Sequence, residues 1–234
     1  MRHRQILLPG FAFRLDADFD SFFASEKLGF AKTSLERGVR EHSSDCIYLA
    51  GAEGSGKSHL LQAACNLAIE LGRSAIYLPL RELKNFPPEQ VLEGVVSIDV
   101  VAIDDIDAIV GVADWQEALF HLYNQRFAAG RSLYFAANKP ARLLGLELAD
   151  LQSRLAACLA FQLTEMDDDE KVAFLQFLSN RRGMELNLAC ANYIIQRYSR
   201  SNSDIIKVLE QLDQATLIAK RKITVPFIKE LLAS

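Results

Sequence analysis

From about residue 34 to residue 163, short apolar runs alternate with stretches in which apolar residues return every three or four positions. Short apolar strand-like runs predict strands at Cys46–Ala50, Ala75–Leu78, Val100–Ile103, Leu133–Ala137 and Ala160–Leu163, the first of them buried. The spacing of Leu60, Leu61, Ala64, Leu67, Ala68 and Leu71 predicts a helix after the first strand, and Trp115 to Phe127 predicts another. Trp115 and Tyr123 are expected to pack within that pattern. A short helix is expected around Ser34 to Glu41, after an extended N-terminal segment. Strands that alternate with helices imply a parallel five-stranded sheet covered on both faces, a three-layer α/β fold.

Beyond Thr164 the pattern changes. Asp167-Asp168-Asp169-Glu170 places four carboxylates where a helix N-terminus favours them, and about three helical patterns follow without a convincing strand. The chain therefore divides into an extended N-terminal peptide (residues 1–13), an α/β domain (14–164) and a small all-helical domain (165–234). Lys220-Arg221-Lys222, the basic run of that last domain, reads as a solvated face or helix end.

The connection between the first strand and its helix carries the clearest chemistry. Gly51-Ala52-Glu53-Gly54-Ser55-Gly56-Lys57-Ser58 satisfies the phosphate-loop pattern at every fixed position, and His59 follows it. Glycines let the backbone close around phosphates, and the helix that starts near Lys57 aims free N–H groups and its positive dipole end at the same anion. Lys57 would reach the terminal phosphates, and the Ser58 hydroxyl would serve Mg²⁺. His59 falls on the same helix start, as a helix-face residue rather than a base.

Two later strands end in polar residues. Val100 to Ile103 runs into Asp104 and Asp105, and ligands of such sheets bind beyond the carboxyl ends of the strands. Asp104 is placed to hold Mg²⁺, and Asp105 to orient an attacking water. The alternative is that both aspartates only open the loop Asp104-Asp105-Ile106-Asp107. Leu133 to Ala137 ends at Asn138, which is placed either to reach a phosphate or to open a turn before Lys139-Pro140. Arg154 lies between the next helical segment and the last strand, a position for a surface ion pair or for a cation offered to a second molecule.

Composition narrows the class. Half of the 234 residues are hydrophobic, enough for a substantial core, and the formal charge of −4 argues against broad sequence-independent DNA binding. Cys46, Cys65, Cys158 and Cys190 lie far apart without metal-ligand spacing, so buried free thiols are expected. His3, His42, His59 and His121 form no ligand set. Pro9 and Gly10 break the apolar N-terminus, and no stretch approaches a membrane span. A cytoplasmic protein without a membrane partner is expected.

The loop, the Asp-Asp strand, the polar strand end, Ser153-Arg154-Leu155 and the helical domain occur in an order that resembles the AAA+ ATPases of the bacterial replication-initiator (DnaA) group. The resemblance runs from Gln5 to Leu232 and includes Phe120-His121-Leu122-Tyr123-Asn124. Leu209 to Ala215, with Lys222 to Glu230, is similar to the regulatory branch that inactivates the initiator. It implies an AAA+ P-loop NTPase core with a helical lid. In that frame Gly51 to Ser58 is Walker A, Asp104 and Asp105 are the Walker B carboxylates, Asn138 stands at sensor 1, and Arg154 is an arginine finger acting in trans. It also implies bound ADP or another nucleoside diphosphate, or ATP, with Mg²⁺, and DnaA as a partner. The chain stops just after the lid, so no origin-recognition domain is expected; assembly into a homo-oligomer is compatible with the family.

Gln5-Ile6-Leu7-Leu8-Pro9 is similar to the peptide by which that branch binds the DNA polymerase III sliding clamp (beta subunit), with Gln5, Ile6, Leu8 and Pro9 as its contacts. Ser203 stands where a hydrolysing initiator has its sensor 2 arginine, with Arg200 three residues earlier. The resemblance therefore implies weak hydrolysis by the chain itself. Asp18 to Phe22 is similar to the initiator segment that leads toward the base, whereas Phe23 to Lys27 departs from it. A helicase-loader-like ATPase and a nucleotide-stabilised clamp-binding module are the alternatives.

Overall fold

The computed structural model describes residues 17–198, 201–219 and 222–232. Gln5 to Pro9, Arg200 and Lys220-Arg221 lie outside the described residues. The chain divides into two compact units, residues 1–164 and 165–234.

The first unit is a three-layer α/β sandwich. Its strands are β1 (Cys46–Gly51), β2 (Ala75–Pro79), β3 (Val100–Asp104), β4 (Leu133–Ala137) and β5 (Leu159–Leu163), all parallel, in the order β2-β3-β4-β1-β5. Alternation of side chains separates two cores. Ile47, Leu49, Ala102, Tyr134 and Ala136 face α1 (Glu26–Glu41) and α2 (Lys57–Glu70). Tyr48, Ala50, Val101, Ile103, Phe135 and Ala137 face the side of α5 (Ala113–Ala128) and α6 (Ala149–Ala156). Two one-turn helices, α3 (Leu80–Leu83) and α4 (Pro88–Val91), lie in the β2–β3 connection.

Burial of nearly the whole length of β1 to β4 made them legible; β5, at the sheet edge, contains Gln162 and is buried only at Leu163. The helix expected at Ser34 to Glu41 is longer: α1 begins at Glu26, with Ser25 at its N-cap position. Leu28, Ala31, Leu35 and Val39 are buried along one stripe, so tertiary packing sustains the first two turns through Gly29. The cysteine expectation also needs correction. Cys46 and Cys158 form a disulfide, while Cys65 and Cys190 are buried free thiols. Ile47 pairs with Leu159, so the residues just before them are neighbours across β1 and β5, with Cα atoms 4.9 Å apart.

Arg126 ties the lower edge of the sheet together. It is 1% exposed, and its guanidinium donates to the carbonyls of Val95, Ile98, Asp99 and Ser132. Burial lowers its pKa to about 10, leaving it charged at neutral pH among carbonyl acceptors.

Among its described residues the second unit has four helices where about three patterns were expected: α7 (Asp168–Arg181), α8 (Leu188–Tyr198), α9 (Asn202–Ala219) and α10 (Val225–Leu232). The acidic run does cap the first. The Asp167 carboxylate accepts from the Glu170 amide at 2.8 Å, and the Glu170 carboxylate accepts from the Asp167 amide at 3.0 Å. Leu175, Ala191, Ile194, Ile205, Leu209, Leu212 and Ile228 form the unit's core. Ser203 lies in the first turn of α9.

Candidate functional site

The carboxyl ends of three adjacent strands converge on one edge of the sheet. β1 pairs with β4 and β4 pairs with β3, so Gly51, Asn138 and Asp104 sit at neighbouring strand ends. Such an edge is where open α/β sheets take ligands.

Two glycines of the loop, Gly51 and Gly56, have no room for a side chain. A Cβ on Gly51 would come within 2.6 Å of the Leu163 carbonyl oxygen and 2.7 Å of Ser55 Oγ. Gly56 has φ 96°, and a Cβ there would meet Phe22 Cε2 at 2.6 Å. Gly54, at φ 79°, also needs a residue free to turn left-handed. The helix then starts at Lys57, as the motif predicts. Ser55 is buried, and its hydroxyl has no hydrogen-bond partner among the described residues. A buried hydroxyl in a loop of amide donors, beside a buried lysine, fits a phosphate ligand.

Lys57 is 6% exposed, and its ammonium is held by the loop itself. It donates to the Gly51 carbonyl at 2.7 Å, the Ala52 carbonyl at 2.8 Å and Asn138 Oδ1 at 3.3 Å. Burial lowers its pKa, opposed by the charges of Asp104, Asp105, Asp107 and Glu53. Asn138 is fixed in turn by Asp107: the Asn138 amide donates to Asp107 Oδ1 at 2.9 Å, and its side-chain NH₂ donates to Oδ2 at 3.0 Å. Tyr48 donates to the Lys139 carbonyl at 2.8 Å, fixing the chain just after Asn138.

Asp104 is 1% exposed and accepts from the Tyr77 hydroxyl at 2.6 Å and from the Asp105 amide at 2.8 Å. Burial and the Asp104 charge push the Tyr77 phenol far above its usual range, so it stays protonated and can donate to Asp104. Asp105 takes the left-handed conformation, φ 55°, ψ 46°. Arg81 of α3 donates to Asp105 Oδ1 at 3.1 Å. Burial and the Asp104 charge raise the Asp105 pKa, with Arg81 opposing. Closely set carboxylates beside an exposed serine, Ser58, are a donor set of the kind Mg²⁺ takes.

Two further placements complete the picture. His59 Nε2 lies 2.9 Å from the Asp18 carbonyl oxygen and 3.2 Å from Ser21 Oγ, and its ring packs on Phe22 with centroids 5.6 Å apart. It therefore joins the segment before α1 to the start of α2. Arg154 is exposed in the last turn of α6, with its guanidinium 5.8 Å from the centre of the Tyr123 ring. Trp115 and Tyr123 are buried as expected.

Sequence reasoning missed Tyr77, Arg81 and the part played by Asp107. Tyr77 and Arg81 come from the β2 edge, which reaches the aspartates only because β2 pairs with β3. The left-handed turn at Asp105 leads into the 3₁₀ turn Ile106–Ile109, whose second residue, Asp107, meets its bond partner Asn138. A run of three aspartates in four residues was the available signal. Among the described residues no helix is long and apolar enough to cross a membrane.

Residues 15–163 match the bacterial DnaA ATPase domain, and residues 168–232 match the Hda lid domain. Similar folds include domain III of the Thermotoga maritima replication initiation protein DnaA, at 17% identity over 95% of this chain and 98% of that one, TM-score 0.79. AMPPCP-bound DnaA from Aquifex aeolicus aligns at 21% identity over 87% of this chain and 67% of that one, TM-score 0.75. The Thermotoga maritima RuvB Holliday junction branch migration motor aligns at 18% over 93% and 71%, TM-score 0.71. At these identities the likeness is one of fold. The match over residues 15–163, together with the strand-end constellation it spans, makes the chain a member of the bacterial DnaA ATPase-domain family, followed by a lid of the Hda type.

Proposed function

We propose that this protein is a nucleotide-bound regulator of replication initiation that binds the sliding clamp and stimulates hydrolysis of ATP held by DnaA. The observation that carries the reading is a DnaA-type ATPase domain followed by a lid of the Hda type. In this reading the amides of Ala52 to Ser58 and the Ser55 hydroxyl hold the phosphates of ADP or ATP. Lys57 would turn from its two loop carbonyls to phosphate oxygens, and Ser58 with Asp104 would hold Mg²⁺. The bound nucleotide and Mg²⁺ supply fixed charge that orders the loop and sets the domain's conformation.

Arg154 does its work on another molecule. An exposed guanidinium on α6 suits insertion beside a partner's triphosphate, where neutralising transition-state charge is worth about 10³ to 10⁵ in rate. Gln5, Ile6, Leu8 and Pro9 form the clamp-binding peptide that brings the protein to its site of action.

A second reading, a remodelling ATPase that turns over its own nucleotide, is favoured by the complete set Lys57, Asp104, Asp105 and Asn138 at one edge. Comparing wild type with Gln5→Ala and Arg154→Ala separates the two. The regulator loses clamp capture in the first variant, and in the second it keeps capture but loses stimulation of DnaA. Substantial turnover by the purified protein alone, abolished by Lys57→Ala, would favour the second reading.

A further inference from the structure

Arg154 is held by an aromatic ring. Tyr123 and Phe127 lie one turn apart on α5, their rings nearly parallel at 8° with centroids 6.2 Å apart. Tyr123 is 6% exposed, Phe127 is 70% exposed, and the Arg154 guanidinium stands 5.8 Å from the Tyr123 ring centre. No ion pair to Arg154 occurs among the described residues.

The kind of partner matters for a cation that must engage an anion elsewhere. A carboxylate would occupy the N–H donors and cancel the charge, and that pair would have to break first. A ring face attracts the guanidinium through its quadrupole while the N–H donors, which lie in the guanidinium plane, stay available. Contact with a buried ring also narrows the rotamers of a long side chain before any partner arrives. A buried aromatic ring on a helix is most often plain packing, and here it carries a charged side chain of the neighbouring helix as well.

We propose that Tyr123 is a positioning residue for Arg154: its ring, stacked on Phe127, holds the guanidinium ready on the α5–α6 surface with its donors free. This inference rests on the reading of Arg154 as the group that acts on ATP bound by DnaA. The hydroxyl has no part in it, so the ring alone should suffice.

The test is single-turnover hydrolysis of DnaA-bound ATP in the presence of loaded clamp, with Tyr123→Phe, Tyr123→Leu and Arg154→Ala beside wild type. Tyr123→Phe should retain the full maximal rate, and Tyr123→Leu should lower it about two- to five-fold, the size of an exposed cation–π contact. In the same proteins, proton NMR should show the Arg154 side-chain resonances displaced upfield by the ring in wild type and Tyr123→Phe, and returned toward free-arginine values in Tyr123→Leu. A wild-type rate in folded Tyr123→Leu, or equal losses in both Tyr123 variants, would overturn the inference. So would undisplaced Arg154 resonances in wild type, a result that needs no variant to fold. Full stimulation by Arg154→Ala would instead overturn the finger reading on which the inference rests.

Discussion

Lys57 Nζ stands 3.3 Å from Asn138 Oδ1, a contact across 81 residues of sequence that joins the glycine-rich loop to the neighbouring strand end. With its bonds to Gly51 and Ala52, it keeps a buried ammonium satisfied and aimed along the loop. The same cation is then the group whose loss the nucleotide should feel most.

Lys57→Ala should weaken ADP binding about ten- to hundred-fold, the worth of one charge-assisted hydrogen bond. Titration of fluorescent ADP measures this directly. Asn138→Ala should weaken it less, because the two loop carbonyls still hold Lys57. Unchanged affinity in Lys57→Ala would remove the loop from its proposed role.

Asp105→Asn should stabilise the fold at neutral pH. Burial and the Asp104 charge raise the Asp105 pKa, so the native state binds that proton more tightly than the unfolded chain does. Ionisation therefore opposes folding: the penalty is absent well below the unfolded value of about 3.9 and complete above the folded value. Asparagine keeps the side-chain shape, tolerates the positive φ and carries no charge. Melting temperature should rise at pH 7, and the gain should fade as the pH approaches 3. A gain that grew on acidification would contradict the assignment.

Tyr77→Phe takes the hydroxyl from Asp104 Oδ2 and leaves a buried carboxylate oxygen short of a donor. Urea unfolding should show a loss of about 1–3 kcal/mol. A loss below a few tenths would mean that the bond is not formed in solution.

The Cys46–Cys158 bridge closes a loop across 112 residues, and its removal should cost the oxidised protein about 2–4 kcal/mol. Cys46→Ser measured against oxidised wild type gives that difference. Thiol titration in denaturant should find two free cysteines, Cys65 and Cys190. Four free thiols would show the bridge open in the purified protein.

Much of this architecture was legible because β1 to β4 are apolar along nearly their whole length and the loop pattern is specific. Val100 to Ile103 announces a central strand, and its two terminal aspartates announce the site's edge. The disulfide was illegible for a reason of topology: only the β1–β5 pairing puts Cys46 beside Cys158. Asp107 escaped because it turns toward Asn138 only after the left-handed step at Asp105. The first two turns of α1 were hidden by Gly29, whose low helix propensity is outweighed by the buried stripe around it.

The most direct test of the proposed function is the single-turnover rate at which DnaA hydrolyses its bound ATP in the presence of clamp loaded on DNA. Adding the wild-type protein should raise that rate, and adding Arg154→Ala, matched for clamp binding and ADP affinity, should leave it at the level of DnaA alone. Equal stimulation by Arg154→Ala, or none by wild type, would contradict it.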